Sequence, residues 1–205
     1  MRNAYLCLAM KNIVFDLGRV VFAHKTEYRT EERKRFFSYV SESPMPQFWV
    51  DYDKGVSSLA KVAEDLAAYR GVDVEYALSM IEQSIGWQST IEPTAALIRD
   101  LKAGGYRLYV LSNMSKEFID FLRQKEVYEL FDGEVVSCEE LCVKPEKEIY
   151  HRLERRYELN PADTLFVDDR NANIVAAREC GWEGYLFDHH NPEHSCEELG
   201  EMLLK

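Results

Sequence analysis

Basic residues, paired cysteines and long apolar runs are all scarce in this 205-residue sequence. Lys and Arg number 25 against 36 Asp and Glu, a net charge of −11, which disfavours nucleic acid and anionic membranes as partners. Five cysteines without paired spacing are typical of a reducing compartment, so we expect a cytoplasmic protein. The longest apolar run near the N-terminus, residues 4–10, is far shorter than the ~20 residues of a membrane-spanning helix.

The remaining composition is that of a globular chain, with 46% hydrophobic and 30% charged residues. The segment that begins at Met10 reads like a protein start, so we expect residues 1–9 to be an extension of little structural consequence.

Short runs rich in branched apolar residues predict five buried strands. They are Asn12–Asp16, Arg107–Asn113, Glu134–Ser137, Thr164–Asp169 and Gly184–Asp188.

Helical patterns alternate with these strands, at Pro93–Lys102, Glu146–Tyr157 and Ile174–Cys180. Strands that are apolar on both faces and alternate with helices indicate a parallel sheet covered on both sides. The sequence therefore predicts an α/β fold with a Rossmann-like parallel sheet core and helices on both faces.

One long interval interrupts this alternation. About seventy-five residues without a convincing strand separate the first strand from Pro93, whereas a βα connection usually takes ~2–6 residues. Helical patterns fill the interval, at Thr26–Val40, Ser58–Arg70 and Asp73–Gly86. We therefore expect a core of residues 1–22 and 91–205 with an inserted helical cap of residues 23–90. Aromatic side chains of the cap are candidates for substrate contact: Phe48, Trp49, Tyr52 and Trp87.

Polar residues end three of the predicted strands: Asp16, Ser112–Asn113 and Asp168–Asp169. Ligands of open α/β sheets bind outside the carboxyl ends of the strands, so these side chains are expected at one edge, with Lys144–Pro145 opening a nearby helix. A carboxylate such as Asp16 can attack phosphorus and form an aspartyl-phosphate. Asp16 and Asp169 could hold Mg²⁺, with Asp168 in direct contact or behind it.

Phosphate would be bound by the other polar groups at this edge. Lys144 supplies a positive charge to the phosphate and to Asp16. The hydroxyl of Ser112 and the backbone N–H of Asn113 can donate hydrogen bonds to the remaining phosphate oxygens. The charge of −11 then requires a bound cation, because three aspartates surround an anionic substrate.

Four motifs in this order resemble the haloacid dehalogenase (HAD) superfamily of hydrolases: FDLGRV at Phe15–Val20, LSN at Leu111–Asn113, KP at Lys144–Pro145 and FVDDRNANI at Phe166–Ile174. Within the superfamily the chain is similar to the branch of bacterial sugar-1-phosphate phosphatases and the phosphatase domain of soluble epoxide hydrolase. The resemblance also covers Gly55–Ser58 in the cap.

The resemblance implies a role for each matching residue. Asp16 would be nucleophile and metal ligand, Ser112 and Asn113 would bind phosphate, and Lys144 would orient both. Asp169 would bind the metal beside Asp168, and the Gly18 carbonyl would be a further ligand. The implied strand order places the Asp16 strand between those that end at Asp169 and Ser112.

Gly18 is a departure from the family pattern, because most phosphatases of the superfamily carry a second aspartate there as general acid and base. Such proton transfer is typically worth about 10²–10⁴-fold in rate, so slow turnover is expected unless another group substitutes. His24 is a candidate substitute, although a surface or hinge histidine is the favoured interpretation.

The sequence therefore predicts a Mg²⁺-dependent phosphatase for a small phosphomonoester, a sugar phosphate being one candidate, in a monomer or weak homodimer. The expected partner is a small phosphorylated metabolite. Two alternatives stay open: a metal-independent 2-haloacid dehalogenase, and a catalytically weak phosphate-binding regulatory module, for which Gly18 is the best argument. The paired aspartates favour the phosphatase over the dehalogenase.

A cluster near the C-terminus does not predict a zinc site. The residues His189, His190, His194 and Cys196 fit no standard zinc spacing and are expected in a polar tail loop.

Overall fold

A computed structural model of the chain describes residues 10–42 and 44–204. The expected extension at residues 1–9 therefore lies outside the described residues. Five strands form a parallel sheet, which confirms the predicted fold class: β1 (Asn12–Phe15), β4 (Arg107–Ser112), β5 (Gly133–Val136), β6 (Thr164–Asp168) and β7 (Glu183–Leu186). Their order in the sheet is β5-β4-β1-β6-β7.

The central strand β1 is buried along its whole length. Ile13 and Phe15 face one apolar cluster, and Val14 between them faces another, as the two-residue period of a strand dictates. β1 pairs with β4 and β6, with Phe15 opposite Val110 and Val167. The Asp16 strand therefore lies between those that end at Ser112 and Asp169, which confirms the expected strand order.

Residues 10–42 and 44–204 contain ten helices. In chain order they are α1 (Glu31–Phe36), α2 (Gln47–Asp53), α3 (Leu59–Arg70), α4 (Val74–Gly86), α5 (Glu92–Ala103), α6 (Lys116–Leu122), α7 (Ser137–Glu140), α8 (Lys147–Tyr157), α9 (Asn171–Glu179) and α10 (Pro192–Leu203). Short 3₁₀ turns occur at Thr26–Tyr28, Ser38–Ser41, Glu126–Leu130 and Pro161–Asp163. None of the helices in the described part of the chain is long and apolar enough to cross a membrane.

The expectation of a polar tail loop is wrong for His194 and Cys196, which lie in α10, whereas His189 and His190 do lie in a turn before it. Pro192 opens α10, which suits a residue without a backbone N–H. Cys196, Leu199 and Leu203 then repeat at helical spacing, and all three are buried against the core cluster that contains Leu97 of α5. The Cys196 thiol lies 3.6 Å from the Thr94 hydroxyl.

The expectation of no strand between β1 and Pro93 is also wrong. β2 (Phe22–His24) and β3 (Gln88–Thr90) pair as an antiparallel ribbon, with His24 opposite Gln88. Each strand has only three residues, too few for the alternation that identifies strands in a sequence. The chain between them, residues 25–87, is called the helical unit below. The predicted division into core and cap at residues 22/23 and 90/91 stays a prediction.

The helical unit has its own apolar core, which includes Tyr39, Trp49 and Tyr52. The predicted helix at Thr26–Val40 is broken into two 3₁₀ turns and α1, whose N-cap Thr30 accepts a hydrogen bond from the Arg33 backbone N–H. Such capping side chains define where a helix begins. α2 was not predicted, because its seven residues span only about two turns, too few to show a helical period.

Candidate active site

Neighbouring strands bring three of the predicted site residues to one edge of the sheet. Asp16 follows β1, while Ser112 and Asp168 are the last residues of β4 and β6. Ser112 and Asp168 are fully buried and Asp16 is nearly so. The Ser112 hydroxyl donates a hydrogen bond to Asp16 Oδ1 at 2.8 Å. One carboxylate oxygen of Asp16 is thereby fixed by the neighbouring strand.

Lys144 connects the carboxylates of the site. Its buried ammonium lies 2.8 Å from Asp16 Oδ1 and 2.7 Å from Asp168 Oδ2, and it donates to the Leu111 carbonyl at 2.9 Å. Burial alone would lower the pKa of Lys144, but the charges of Asp16 and Asp168 outweigh it and the pKa is raised. Lys144 is therefore held as a cation.

The side chain of Asn113 positions this lysine through the main chain. Its amide donates to the Lys144 carbonyl at 2.9 Å, and its oxygen accepts from the Lys144 N–H at 2.7 Å. This pair of hydrogen bonds fixes the segment that carries the lysine. The predicted contact of the Asn113 backbone N–H with phosphate stays a prediction.

Asp168 is occupied on both carboxylate oxygens. Asp168 Oδ1 accepts from the Arg170 backbone N–H at 2.7 Å, and the Asn173 amide lies 3.1 and 3.0 Å from Oδ1 and Oδ2. Lys144 takes the remaining direction at Oδ2. With these donors in place, Asp168 is better suited to orient Lys144 than to bind a metal directly.

Asp169 completes a cluster of carboxylates. Asp16, Asp168 and Asp169 each offer an oxygen within 4.8 Å of the other two. Burial, together with the charges of Asp16 and Asp168, raises the pKa of Asp169 to about 6. Crowded carboxylates of this kind are relieved by a cation, and oxygen ligands suit Mg²⁺. The residues present therefore fit a divalent metal ion.

Two arginines beside the predicted motifs were missed by the sequence reasoning, although they adjoin Gly18 and Asp169. Arg19 lies 3.8 Å from Asp169 Oδ2 and donates to the Ser41 hydroxyl at 2.7 Å. Arg170 donates to the Val40 carbonyl. Both arginines line the pocket at Asp16 and connect the core to the 3₁₀ turn of the helical unit. The pocket is therefore lined by arginine side chains as well as by carboxylates.

The pocket above Asp16 has a largely apolar wall. Its apolar lining residues are Val40, Met45, Trp49, Met114 and Phe118. Asp16, Asp169, Gly18, Asn113 and Lys144 also line it, and Ser112 and Asp168 contact Asp16 and Lys144 directly, so all seven predicted site residues lie at or directly behind one pocket. Trp49 is the one among the four candidate aromatics that lines it, while Tyr52 and Trp87 are buried in the core of the helical unit.

A third aspartate lines the same pocket, beside Asp16 and Asp169. Asp53, the last residue of α2, was missed by the sequence reasoning. Its contact with the pocket depends on how the helical unit packs on the core, and no local pattern in the sequence reports that packing.

His24 and His189 lie near the site but do not line the pocket. His24 lies in β2, edge-on to the rings of Trp87 and Phe37 at centroid distances of 5.7 and 6.4 Å. Burial and nearby arginines lower the pKa of His24 to about 4, so it is a neutral ring in the ribbon. His189 lies 3.5 Å from Asp169 Oδ2, a proximity that the sequence spacing does not indicate.

A protein-family model described as haloacid dehalogenase-like hydrolase matches residues 10–181 of this chain. The sesquiterpene phosphatase astK of Aspergillus oryzae is 25% identical over 200 residues, which is 97% of this chain and 99% of that protein. Both matches span the strand-end motifs and the helical unit.

Solved structures share the fold. A HAD family enzyme from Bacteroides thetaiotaomicron, in complex with magnesium and inorganic phosphate, is 20% identical with a TM-score of 0.67, covering 88% of this chain and 95% of that one. The L-2-haloacid dehalogenase of Xanthobacter autotrophicus is 17% identical with a TM-score of 0.65, covering 85% and 76%.

Proposed function

This chain belongs to the haloacid dehalogenase-like hydrolase family, and from that premise we propose that it hydrolyses a small phosphomonoester in a Mg²⁺-dependent reaction. The observation that carries the proposal is the arrangement around Asp16. A carboxylate at a strand end has a buried ammonium and a hydroxyl 2.8 Å from one of its oxygens, and two further carboxylates lie beside it. These groups suit nucleophilic attack by Asp16 on a phosphoryl group, whose negative charge is spread over its oxygens.

Each residue has a task in the proposed reaction. Asp16 attacks phosphorus, so that an aspartyl-phosphate forms and the alcohol leaves; water then hydrolyses the aspartyl-phosphate. Ser112, the Asn113 backbone N–H and Lys144 bind the phosphate oxygens. Asp16, Asp169 and the Gly18 carbonyl would hold Mg²⁺, with Asp168 behind them orienting Lys144. The metal ion, when bound, supplies positive charge against the phosphate oxygens.

The apolar wall supports a substrate whose organic group is a hydrocarbon. Trp49, Met114 and Phe118 offer little to the hydroxyls of a sugar, whereas an apolar group buried against them gains about 25 cal/mol per Å². The sesquiterpene phosphatase relative supports the same class. A sugar phosphate is the second candidate, which Arg19 and Gln88 of the pocket would serve.

A panel of prenyl, alkyl and hexose phosphates, assayed with and without Mg²⁺, tests the proposal. We expect phosphate release that requires Mg²⁺ and is greatest for the apolar esters. Asp16→Asn should abolish release, whereas Asp163→Asn, a surface aspartate paired with Lys11, should leave it unchanged. Release by Asp16→Asn would contradict the proposal.

The same assay separates the two alternatives. The regulatory module predicts phosphate binding with Mg²⁺ and no turnover of any ester. The dehalogenase predicts halide release from 2-haloacids that a chelator does not affect. Asp168 and Asp169 favour the phosphatase, since paired carboxylates beside the nucleophile fit a metal ion better than an uncharged haloalkyl carbon.

A further inference from the structure

The proposed reaction needs a proton that the residue two places after Asp16 cannot supply. An alkoxide leaving group must be protonated as its bond to phosphorus breaks, and the water that hydrolyses the aspartyl-phosphate must lose a proton. Gly18 has no side chain for either transfer. A replacement must reach the pocket from another part of the chain.

Asp53 is placed to do this from the helical unit. It lines the pocket together with Asp16 and Asp169, and it does not belong to the carboxylate cluster that could hold a metal. It lies on the α2 side of the pocket, next to Trp49 of the same helix, which belongs to the apolar wall. If the phosphate of a substrate binds at Asp16 and its organic group packs on the apolar wall, the ester oxygen lies between Asp16 and that wall, on the side of the pocket that Asp53 lines.

The end of α2 is fixed to the core on both sides of Asp53. The Ser137 hydroxyl donates to the Asp53 carbonyl, the Tyr52 hydroxyl donates to Glu117 at 2.8 Å, and Lys54 pairs with Glu146 at 3.0 Å. Gly55 follows in close contact with the Cys138 backbone. The backbone of Asp53 is therefore held beside the pocket by contacts on both sides of it.

The surroundings of Asp53 favour the acid form. Burial raises the pKa of Asp53 to about 8, and the charge of Asp16 adds to this, while Arg170 and a hydrogen bond from the Ser115 backbone act in the opposite direction. Near neutral pH the carboxyl group is then available as a proton donor, and its carboxylate is a strong enough base to accept a proton back.

We propose that Asp53 is the proton carrier of this site, in place of the aspartate that Gly18 lacks; the proposal rests on the phosphatase function above. Asp16 forms a bond to phosphorus as the ester bond breaks, and the leaving oxygen takes the proton of the Asp53 carboxyl group. Water then attacks phosphorus and gives its proton to the Asp53 carboxylate. The bond between phosphorus and Asp16 breaks, and phosphate leaves with both side chains restored.

The two histidines near the site are less suitable. His24 packs between aromatic rings of the helical unit and is not among the residues that line the pocket. His189 is likewise absent from the lining and points a ring nitrogen at Asp169. Neither histidine therefore lines the space in which the ester would bind.

The test compares two leaving groups in Asp53→Asn. An alkyl phosphate needs its leaving oxygen protonated, whereas p-nitrophenyl phosphate releases a stabilised anion. We expect kcat/KM for the alkyl ester to fall about 10²–10⁴-fold and kcat/KM for p-nitrophenyl phosphate to change little. The variant should also show a burst of one p-nitrophenol per site, because hydrolysis of the aspartyl-phosphate has lost its base. The alkaline limb of the pH profile for the alkyl ester should disappear.

Two further variants complete the design. Asp51→Asn on the same helix, whose carboxylate accepts from Gln47 at 2.8 Å, should keep wild-type kinetics. Gly18→Asp added to Asp53→Asn should restore part of the alkyl activity, because a Cβ at Gly18 meets no atom within 4 Å. Thermal unfolding verifies that each variant is folded.

The outcomes separate this proposal from the phosphatase function. An equal loss on both esters in a folded Asp53→Asn, or no loss on either, would overturn the role of Asp53. A wild-type protein that hydrolyses neither ester with Mg²⁺ would instead refute the proposed function itself.

Discussion

Replacing Lys144 by methionine should reduce stability far more than replacing any surface lysine. The ammonium is 1% exposed and lies between Asp168, 0% exposed, and Asp16, 12% exposed. Methionine keeps most of the volume but leaves both carboxylates without their cation. Removing one partner of a buried ion pair typically destabilises by about 3–5 kcal/mol. For a chain of this size that is a loss of about 6–20 °C in Tm.

The assay is thermal unfolding of Lys144→Met beside Lys147→Met, with chelator and with Mg²⁺. Lys147 pairs with Glu179 at 2.9 Å, but both side chains are more than half exposed, and such pairs contribute about 0–1 kcal/mol. Mg²⁺ should restore part of the stability of Lys144→Met, because a cation at Asp16 and Asp169 offsets some of the uncompensated charge. Equal Tm values for the two variants in chelator would refute this account of the site.

Three further predictions concern stability and metal dependence. The folded protein holds a proton on Asp53 between its ordinary pKa of 3.8 and the raised pKa of about 8, so the stability contributed by this group falls as pH rises through that window. Asp53→Asn should therefore raise Tm at pH 8 but not at pH 4; an equal shift at both would contradict the assignment. Gly55→Ala should destabilise the protein more than Gly71→Ala. Both glycines have positive φ, but only at Gly55 would a Cβ lie 2.3 Å from the Cys138 carbonyl oxygen. Equal losses of unfolding free energy, measured by denaturant unfolding, would argue against that contact. Chelation of Mg²⁺ should weaken the binding of inorganic phosphate in calorimetric titration, because the carboxylates of Asp16 and Asp169 then face the anion without a cation between them. An unchanged affinity would mean that Arg19, Arg170 and Lys144 suffice.

The sheet and its polar edge could be predicted because both follow from local patterns. Apolar runs identified the strands of the core, and the residues that end them share one edge because parallel strands point the same way. Asp16, Ser112 and Asp168 therefore meet as expected. The helix at Pro192–Leu203 could also have been found, since Cys196, Leu199 and Leu203 repeat at helical spacing.

Asp53 could not be predicted in this way. It comes from a different unit, 37 positions beyond Asp16 in the numbering, and reaches the pocket only because Ser137, Glu117 and Glu146 of the core bind the end of α2. Such contacts between distant segments leave no periodic trace in the sequence. The ribbon of β2 and β3 escaped notice for a different reason, since three residues are too few to show a period.

The ribbon gives the helical unit the topology of a single long hairpin loop. Residues 25–87 leave and rejoin the core at paired positions, His24 and Gln88, whose Cα atoms are only about 5 Å apart in any antiparallel ladder. A segment attached at two adjacent points can change in length and sequence while the order of the five core strands stays the same. The entropic cost of closing such a loop also rises by only about 0.6 kcal/mol each time the length of the segment doubles. The fold thus separates the strand ends that carry Asp16, Ser112 and Asp168 from an insert attached at one ribbon, and Asp53 belongs to the insert.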